Sequence, residues 1–125
     1  MNELFKRTRA GLEPLALPRR ESRSVDANAA EWQESGADGF LLKALMEDPD
    51  AGLRTWLMKV EPGAYAESHA HAEVEQIYVL EGSFYDQRKT YQAGEYILRA
   101  PGAMHTAGSD TGAVVLLFYS PPPGS

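Results

Sequence analysis

The sequence predicts a single all-β domain, a barrel or sandwich of short antiparallel strands. Short apolar runs recur along the chain, and Gly- or Pro-containing turns separate them. No stretch carries a helical period over the length of an ordinary helix. At 125 residues the chain can bury one core but hardly two.

The elements follow in order. Residues 39–46, GFLLKALM, could be read as helix from their Leu-Leu-x-Ala-Leu pattern, but their length between turn signals favours a strand. Residues 52–60, GLRTWLMKV, form a strand that runs into the turn Glu61-Pro62-Gly63. In residues 75–81, EQIYVLE, Ile77 and Val79 alternate with Tyr78 and Leu80, and Gly82 closes the run. Asp86-Gln87-Arg88-Lys89 reads as a hairpin loop before Thr90-Tyr91, and Ala93-Gly94 as the turn before Tyr96-Ile97-Leu98. Residues 113–119, AVVLLFY, are a continuous apolar run, which suits a strand buried on both faces. Only residues 27–34, ANAAEWQE, favour a helix, and they are few. The segment 1–22 reads as an arm that carries a short helical turn or packs on a subunit, 23–120 as the domain, and 121–125, PPPGS, as a tail.

Composition narrows the chemistry. The chain has no cysteine, which excludes disulfides, thiolate metal sites and thiol catalysis and leaves nitrogen and oxygen as metal ligands. Residues 1–25 hold six Lys/Arg against three Glu, whereas the remainder holds six basic against fifteen acidic residues. That acidic body repels phosphate, so nucleic acid is not an expected partner. No apolar run is long enough to span a membrane, and the first residues lack the apolar core of a secretory signal, so the expected location is cytoplasmic.

The chain has three histidines, and all fall in one constellation. Along a strand, residues two apart face the same way, so His69 and His71 present both imidazoles on one side. A turn at 72–74 lets Glu75 open the next strand toward the same interior. His105 must arrive through the fold, just after the Pro101-Gly102 turn. Three imidazoles and one carboxylate suit a first-row divalent ion. A lone His-x-His pair would more often be accidental. A scatter without function, however, would leave a histidine elsewhere.

These residues resemble the two signature motifs of the cupin superfamily. The first, G-x5-H-x-H-x3-E-x6-G, is matched by Gly63, His69, His71, Glu75 and Gly82. The second, G-x5-P-x-G-x2-H-x3-N, is matched by Gly94, Gly102 and His105; its proline stands one place late, at Pro101, and Ser109 replaces the final Asn. The resemblance implies a cupin β-barrel, the double-stranded β-helix or jelly roll, with His69, His71, Glu75 and His105 as metal ligands. The run EQIYVLEGSFYD, with Tyr91-x-x-Gly94-x-Tyr96, is similar to a narrower group. That group contains the cupin domains of singlet-oxygen-responsive anti-sigma factors and the small acetylacetone and hydroxyacetophenone dioxygenases. The anti-sigma factors also carry a zinc-binding helical domain, for which this chain has neither the length nor the cysteines, so sigma binding is not expected.

The resemblance implies a dioxygenase acting on a diketone or phenolic ketone, with one divalent ion: Fe(II) is favoured, and Zn, Mn, Ni or Co are alternatives. Glu75 is either the fourth ligand or a base that accepts the substrate's proton. Competing readings are a non-catalytic metal- and ligand-binding sensor, and a metal-dependent isomerase or lyase. Candidate pocket walls are Trp56, Met58, Tyr78, Ile97 and Phe118, and Tyr65 and Tyr85 are candidate donors to a bound substrate. Small cupins of this kind pair through sheet faces and exchange N-terminal strands, so a homodimer is expected.

Overall fold

The computed structural model describes residues 11–124. The first ten residues of the arm and the last residue of the tail lie outside them. Nine strands are found among the described residues: β1 (Gln33–Glu34), β2 (Phe40–Asp48), β3 (Leu53–Val60), β4 (Tyr65–His69), β5 (Val74–Tyr85), β6 (Thr90–Gln92), β7 (Tyr96–Arg99), β8 (His105–Gly108) and β9 (Ala113–Ser120). They form antiparallel ladders in the order β1-β2-β3-β9-β5-β8-β4, with β6 and β7 also on β5. No helix among the described residues is long and apolar enough to cross a membrane.

The curl of the barrel depends on β5. Its first half pairs with β9 and β7, and its last residues pair with β6 and, at Tyr85↔Gly108, with β8. One strand therefore belongs to two sheets, and it turns the corner at a bulge between Val79 and Glu81 followed by Gly82. Gly82 has φ +72°, and a Cβ there would lie 2.0 Å from the Gly112 carbonyl oxygen. Only glycine fits both the dihedral and the approach. Gly82→Ala is expected to cost roughly 2–3 kcal/mol or more in urea unfolding; a loss under about 0.5 kcal/mol would mean that the corner is slack.

Alternation places the core. Ile77 and Val79 of β5, Val115 and Leu117 of β9, Trp56 and Val60 of β3 and Phe84 all point inward and are buried. The run 113–119 differs from expectation: only Ala113, Val115, Leu117 and Tyr119 are buried, while Phe118 is 38% exposed. β9 lies centrally between β3 and β5, so the apolar run reflects a strand paired on both edges rather than covered on both faces. Residues 39–46 are strand, as expected. Residues 27–34 give only a 3-10 turn at Ala27–Ala29, capped by Asp26, whose side chain accepts the Asn28 N–H at 3.0 Å. The following Gln33 and Glu34 are recruited to the edge of β2 instead, where pairing outweighs a helix too short to nucleate.

The described part of the arm packs on its own chain without a helical turn. Leu12 is buried, and Leu15 bridges Met46 in parallel: its N–H donates to Leu45 O at 2.8 Å and its carbonyl accepts from Glu47 N–H at 3.0 Å. Together with β1 it covers the edge of β2 left open by β3.

Candidate metal centre

β4 and β8 bring the histidines together. His69 closes β4 and stands opposite His105, which opens β8. His71 follows in the bend before β5. Its carbonyl accepts the Gly102 N–H at 2.7 Å, which ties the two motif turns to each other. The ring centroids are 4.4 Å apart for His69 and His105, 5.2 Å for His69 and His71, and 5.4 Å for His71 and His105. One ligand nitrogen from each lies within 4.8 Å of the other two, so the three histidines could hold a metal ion.

The hydrogen bonds around the rings fit that role. His69 Nδ1 lies 2.7 Å from Glu67 O and His105 Nδ1 lies 3.0 Å from Ala103 O. A carbonyl only accepts, so both Nδ1 atoms carry the proton and both Nε2 lone pairs are left for a metal. Burial lowers the pKa of His71 and of His105; the nearby Glu75 opposes it in both. Neighbouring positive and imidazole groups lower them further: His69 and Arg54 act on His71, and Arg99 and His69 act on His105. The rings are therefore neutral near pH 7, the form that binds metal.

A stability prediction follows from the sign of these shifts. The unfolded chain takes up protons at His71 and His105 at a higher pH than the folded one. Stability of the metal-free protein should therefore fall as pH drops below about 6.5 toward the lowered folded values, and then level off. Urea midpoints of metal-free protein between pH 7.5 and 5 test this; a midpoint that rises on acidification contradicts it.

Glu75 is buried beneath the rings. Its Oε1 is 3.6 Å from His105 Nε2 and its Oε2 is 3.8 Å from His71 Nε2. Arg99 Nε donates to Oε1 at 3.1 Å, and the Tyr119 hydroxyl donates to Oε2 at 2.5 Å. Burial and the Glu75 carboxylate push the Tyr119 phenol well above its ordinary range, so it stays a donor. Arg99 continues the row: Nη1 donates to Asp86 Oδ2 at 3.0 Å, which also accepts from Tyr91 Oη at 3.0 Å. Nη2 is buried without a partner among the described residues. Burial would raise the Asp86 pKa, but N–H groups of Arg88 and Lys89, the Arg99 guanidinium and the Tyr91 hydroxyl together hold it below the usual value.

A cavity of about 600 Å³ opens onto this cluster. Phe40, Leu42, Met58, Trp56 and Leu117 give it an apolar wall. At its rim Arg54 donates to both oxygens of Glu73, at 2.6 and 3.1 Å, and stacks on the Trp56 and Tyr119 rings at 4.2 and 4.0 Å.

Of the expected pocket walls, Trp56 and Met58 line the cavity. Tyr78 and Phe118 do not: they are 40% and 38% exposed on the outer face. Strand parity explains it, because Glu75 and Ile77 point inward on β5, and Leu117 and Tyr119 on β9, so their neighbours Tyr78 and Phe118 point out. Ile97 is buried in the core without lining the cavity. Tyr65 and Tyr85 stack on each other, with centroids 6.5 Å apart, away from the cavity lining. Arg99, Tyr119, Asp86 and Arg54 were missed. A signal existed for two of them: Arg99 has the inward parity of Ile97, and Tyr119 that of Leu117. Ser109 stands where the second motif has Asn. It is fully buried, its hydroxyl donates to Ser83 O at 2.5 Å, and it accepts the Gly112 N–H at 2.8 Å.

Comparison with known proteins agrees with this architecture. An RmlC-like cupin from Shewanella frigidimarina NCIMB 400 superposes with a TM-score of 0.71 at 23% identity, over 83% of this chain and 95% of that one. A proposed acetylacetone dioxygenase from Methylibium petroleiphilum PM1 gives 0.73 at 15% identity, over 83% and 80%. The complex of Rhodobacter sphaeroides SigE with the anti-sigma ChrR gives 0.61 at 21% identity, over 72% of this chain and 49% of that one. Among curated proteins no sequence matches. The model of the ChrR cupin-like domain matches residues 20–122. With the two motifs and the barrel they build, that match makes this chain a member of the ChrR cupin-like domain family.

Proposed function

We propose that this protein is a metal-dependent cupin oxygenase in which His69, His71, His105 and Glu75 hold one divalent ion, Fe(II) first among the candidates, beside a pocket for a diketone or phenolic ketone. The observation that carries the metal reading is the convergence of three imidazoles, two of them with Nδ1 committed to carbonyls. Charge supports it as well: two buried carboxylates, Glu75 and Asp86, face one guanidinium, Arg99. The excess negative charge is costly in the interior, and a bound cation offsets it.

Bound there, the ion would act as a Lewis acid and bring a chelating substrate next to O2. The chain's own residues do the rest. The apolar wall of Phe40, Leu42, Met58 and Leu117 excludes water and takes the body of a small ketone. Arg99 and Tyr119 hold the Glu75 carboxylate in place. With a donor on each of its oxygens Glu75 is better suited to serve as a fixed ligand than as a mobile base.

Similarity to the SigE–ChrR complex favours a second reading, a non-catalytic metal- and ligand-binding sensor that acts through a protein partner. Metal analysis of protein purified without chelator, followed by O2 uptake of the Fe(II)-loaded protein on a diketone and phenolic-ketone panel, separates the readings. One metal per chain and Fe(II)-dependent uptake are expected. Metal without turnover favours the sensor, turnover without O2 an isomerase or lyase, and absence of metal refutes the centre.

The homodimer remains part of this proposal. The outward side chains Tyr78, Leu80, Tyr96, Leu98 and Phe118 are exposed and uncharged on three neighbouring strands, a face that a second copy of an acidic chain can approach without charge repulsion. Light scattering after size exclusion should give twice the 13.7 kDa chain mass; a chain-mass peak contradicts it.

A further inference from the structure

We propose that the loop between β5 and β6, Asp86 to Lys89, positions two of the four donor groups of the metal centre, His105 through Gln87 and Glu75 through Asp86 and Arg99. The inference rests on the metal reading above and adds a control element outside the cavity.

The ladder between β5 and β8 consists of one pair, Tyr85↔Gly108. Beyond it β5 ends, so the edge of β8 around His105 has no strand from that side to pair with. Gln87 takes the place of the strand. Its Nε2 donates to Met104 O at 3.2 Å, and its Oε1 accepts the Thr106 N–H at 3.0 Å. One planar carboxamide thus supplies the donor and the acceptor that a partner peptide would supply, on the residues either side of His105. The opposite edge is held by the pairing of His105 with His69. His105 is therefore clamped from both sides, one of them by a single side chain.

The neighbouring residue faces inward. Asp86 has a fully buried side chain, and its Oδ2 holds Arg99 Nη1, while Arg99 Nε holds Glu75. The loop is itself rigid: Asp86 Oδ1 accepts the N–H groups of Arg88 and Lys89 at 2.8 and 3.2 Å, and Asp86 N–H donates to Lys89 O at 3.1 Å. Two adjacent side chains of one rigid turn, one outward and one inward, thus reach the two donors by separate routes. Both are positioning residues: neither is among the residues that line the cavity.

The test uses Co(II) as the probe, with affinity measured by chelator competition and geometry by the visible spectrum of the Co(II) protein. Gln87→Ala, at an exposed position, is expected to weaken Co(II) about 10-fold and to shift the visible bands, with the metal-free melting temperature nearly unchanged. Gln87→Glu keeps the acceptor for Thr106 N–H and loses the donor to Met104 O, so it should fall between alanine and wild type. Asp86→Asn keeps an oxygen for the loop amides but loses the one that holds Arg99, and is expected to weaken Co(II) by a similar factor. Wild-type affinity and spectrum in both Gln87→Ala and Asp86→Asn, whatever their melting temperatures, would overturn the inference and leave the metal reading intact. Failure of the wild-type protein itself to bind Co(II) would overturn both.

Discussion

Replacing His69 or His105 with alanine is expected to lower metal affinity by more than about 100-fold while the barrel survives, because each removes one of three converging imidazole nitrogens. The fold should tolerate the change. His69 and His105 meet edge to face with centroids 4.4 Å apart and line an open cavity, so truncating one enlarges a space already present rather than opening a hole in close-packed core. Glu75→Gln should cost less, on the order of 10-fold, because the amide oxygen can still coordinate. Its amide nitrogen, however, cannot accept from Arg99 or Tyr119, so one of those donors loses its partner. Metal content by elemental analysis and affinity by competition check both. Wild-type metal content in a His69→Ala/His105→Ala double variant would sink the ligand assignment, and a Glu75→Gln variant indistinguishable from wild type would make Glu75 a support rather than a ligand.

The second large effect is on stability. Arg99→Met is expected to destabilise the metal-free protein by about 3–5 kcal/mol at pH 7, because it leaves Glu75 and Asp86 buried without their shared cation. Unlike the loss from a simple packing defect, which does not vary with pH, this one depends on pH. Without the guanidinium both carboxylates favour their protonated forms in the folded state, so the unfolded chain gives up protons more readily. The deficit relative to wild type should therefore shrink as pH falls from 7 toward 4.5. Arg99→Lys should lie between, since one ammonium cannot span both carboxylates in the way Nε and Nη1 do. Urea unfolding of the three proteins across that pH range checks this; a deficit below about 1 kcal/mol at pH 7 would mean that water reaches the carboxylates in the absence of the guanidinium.

The opening and closing of most strands was legible because their signals are local. Gly63, Gly82, Gly94 and Gly102 all have positive φ, which few other residues adopt, so the turns could be read one residue at a time. The hairpin loop at Asp86 was legible for the same reason, since its side chain caps its own following amides. The histidines were legible through scarcity: three in the chain, all within two spaced motifs. What misled was the apolar run of β9, because hydrophobicity along a strand does not say which of its two faces is covered. Alternation likewise names two sets of residues on a strand without saying which set faces the interior: Tyr78 on β5 and Phe118 on β9 are expected in the pocket and point away from it.

By itself, then, the sequence determined the fold class, the positions of the turns and the three histidines that share one site, all of which follow from local dihedral preference, period-two alternation and motif spacing. Only the tertiary structure decided what surrounds that site. Arg99, Asp86 and Tyr119 are 24, 11 and 44 residues from Glu75 along the chain, and no local rule pairs them. They meet because β5 runs through both sheets and carries Glu75 between β7 and β9, so that the inward faces of three strands deliver a carboxylate, a guanidinium and a phenol to the same buried point. In that setting each group must satisfy another, and Glu75 is held in place beneath the histidines.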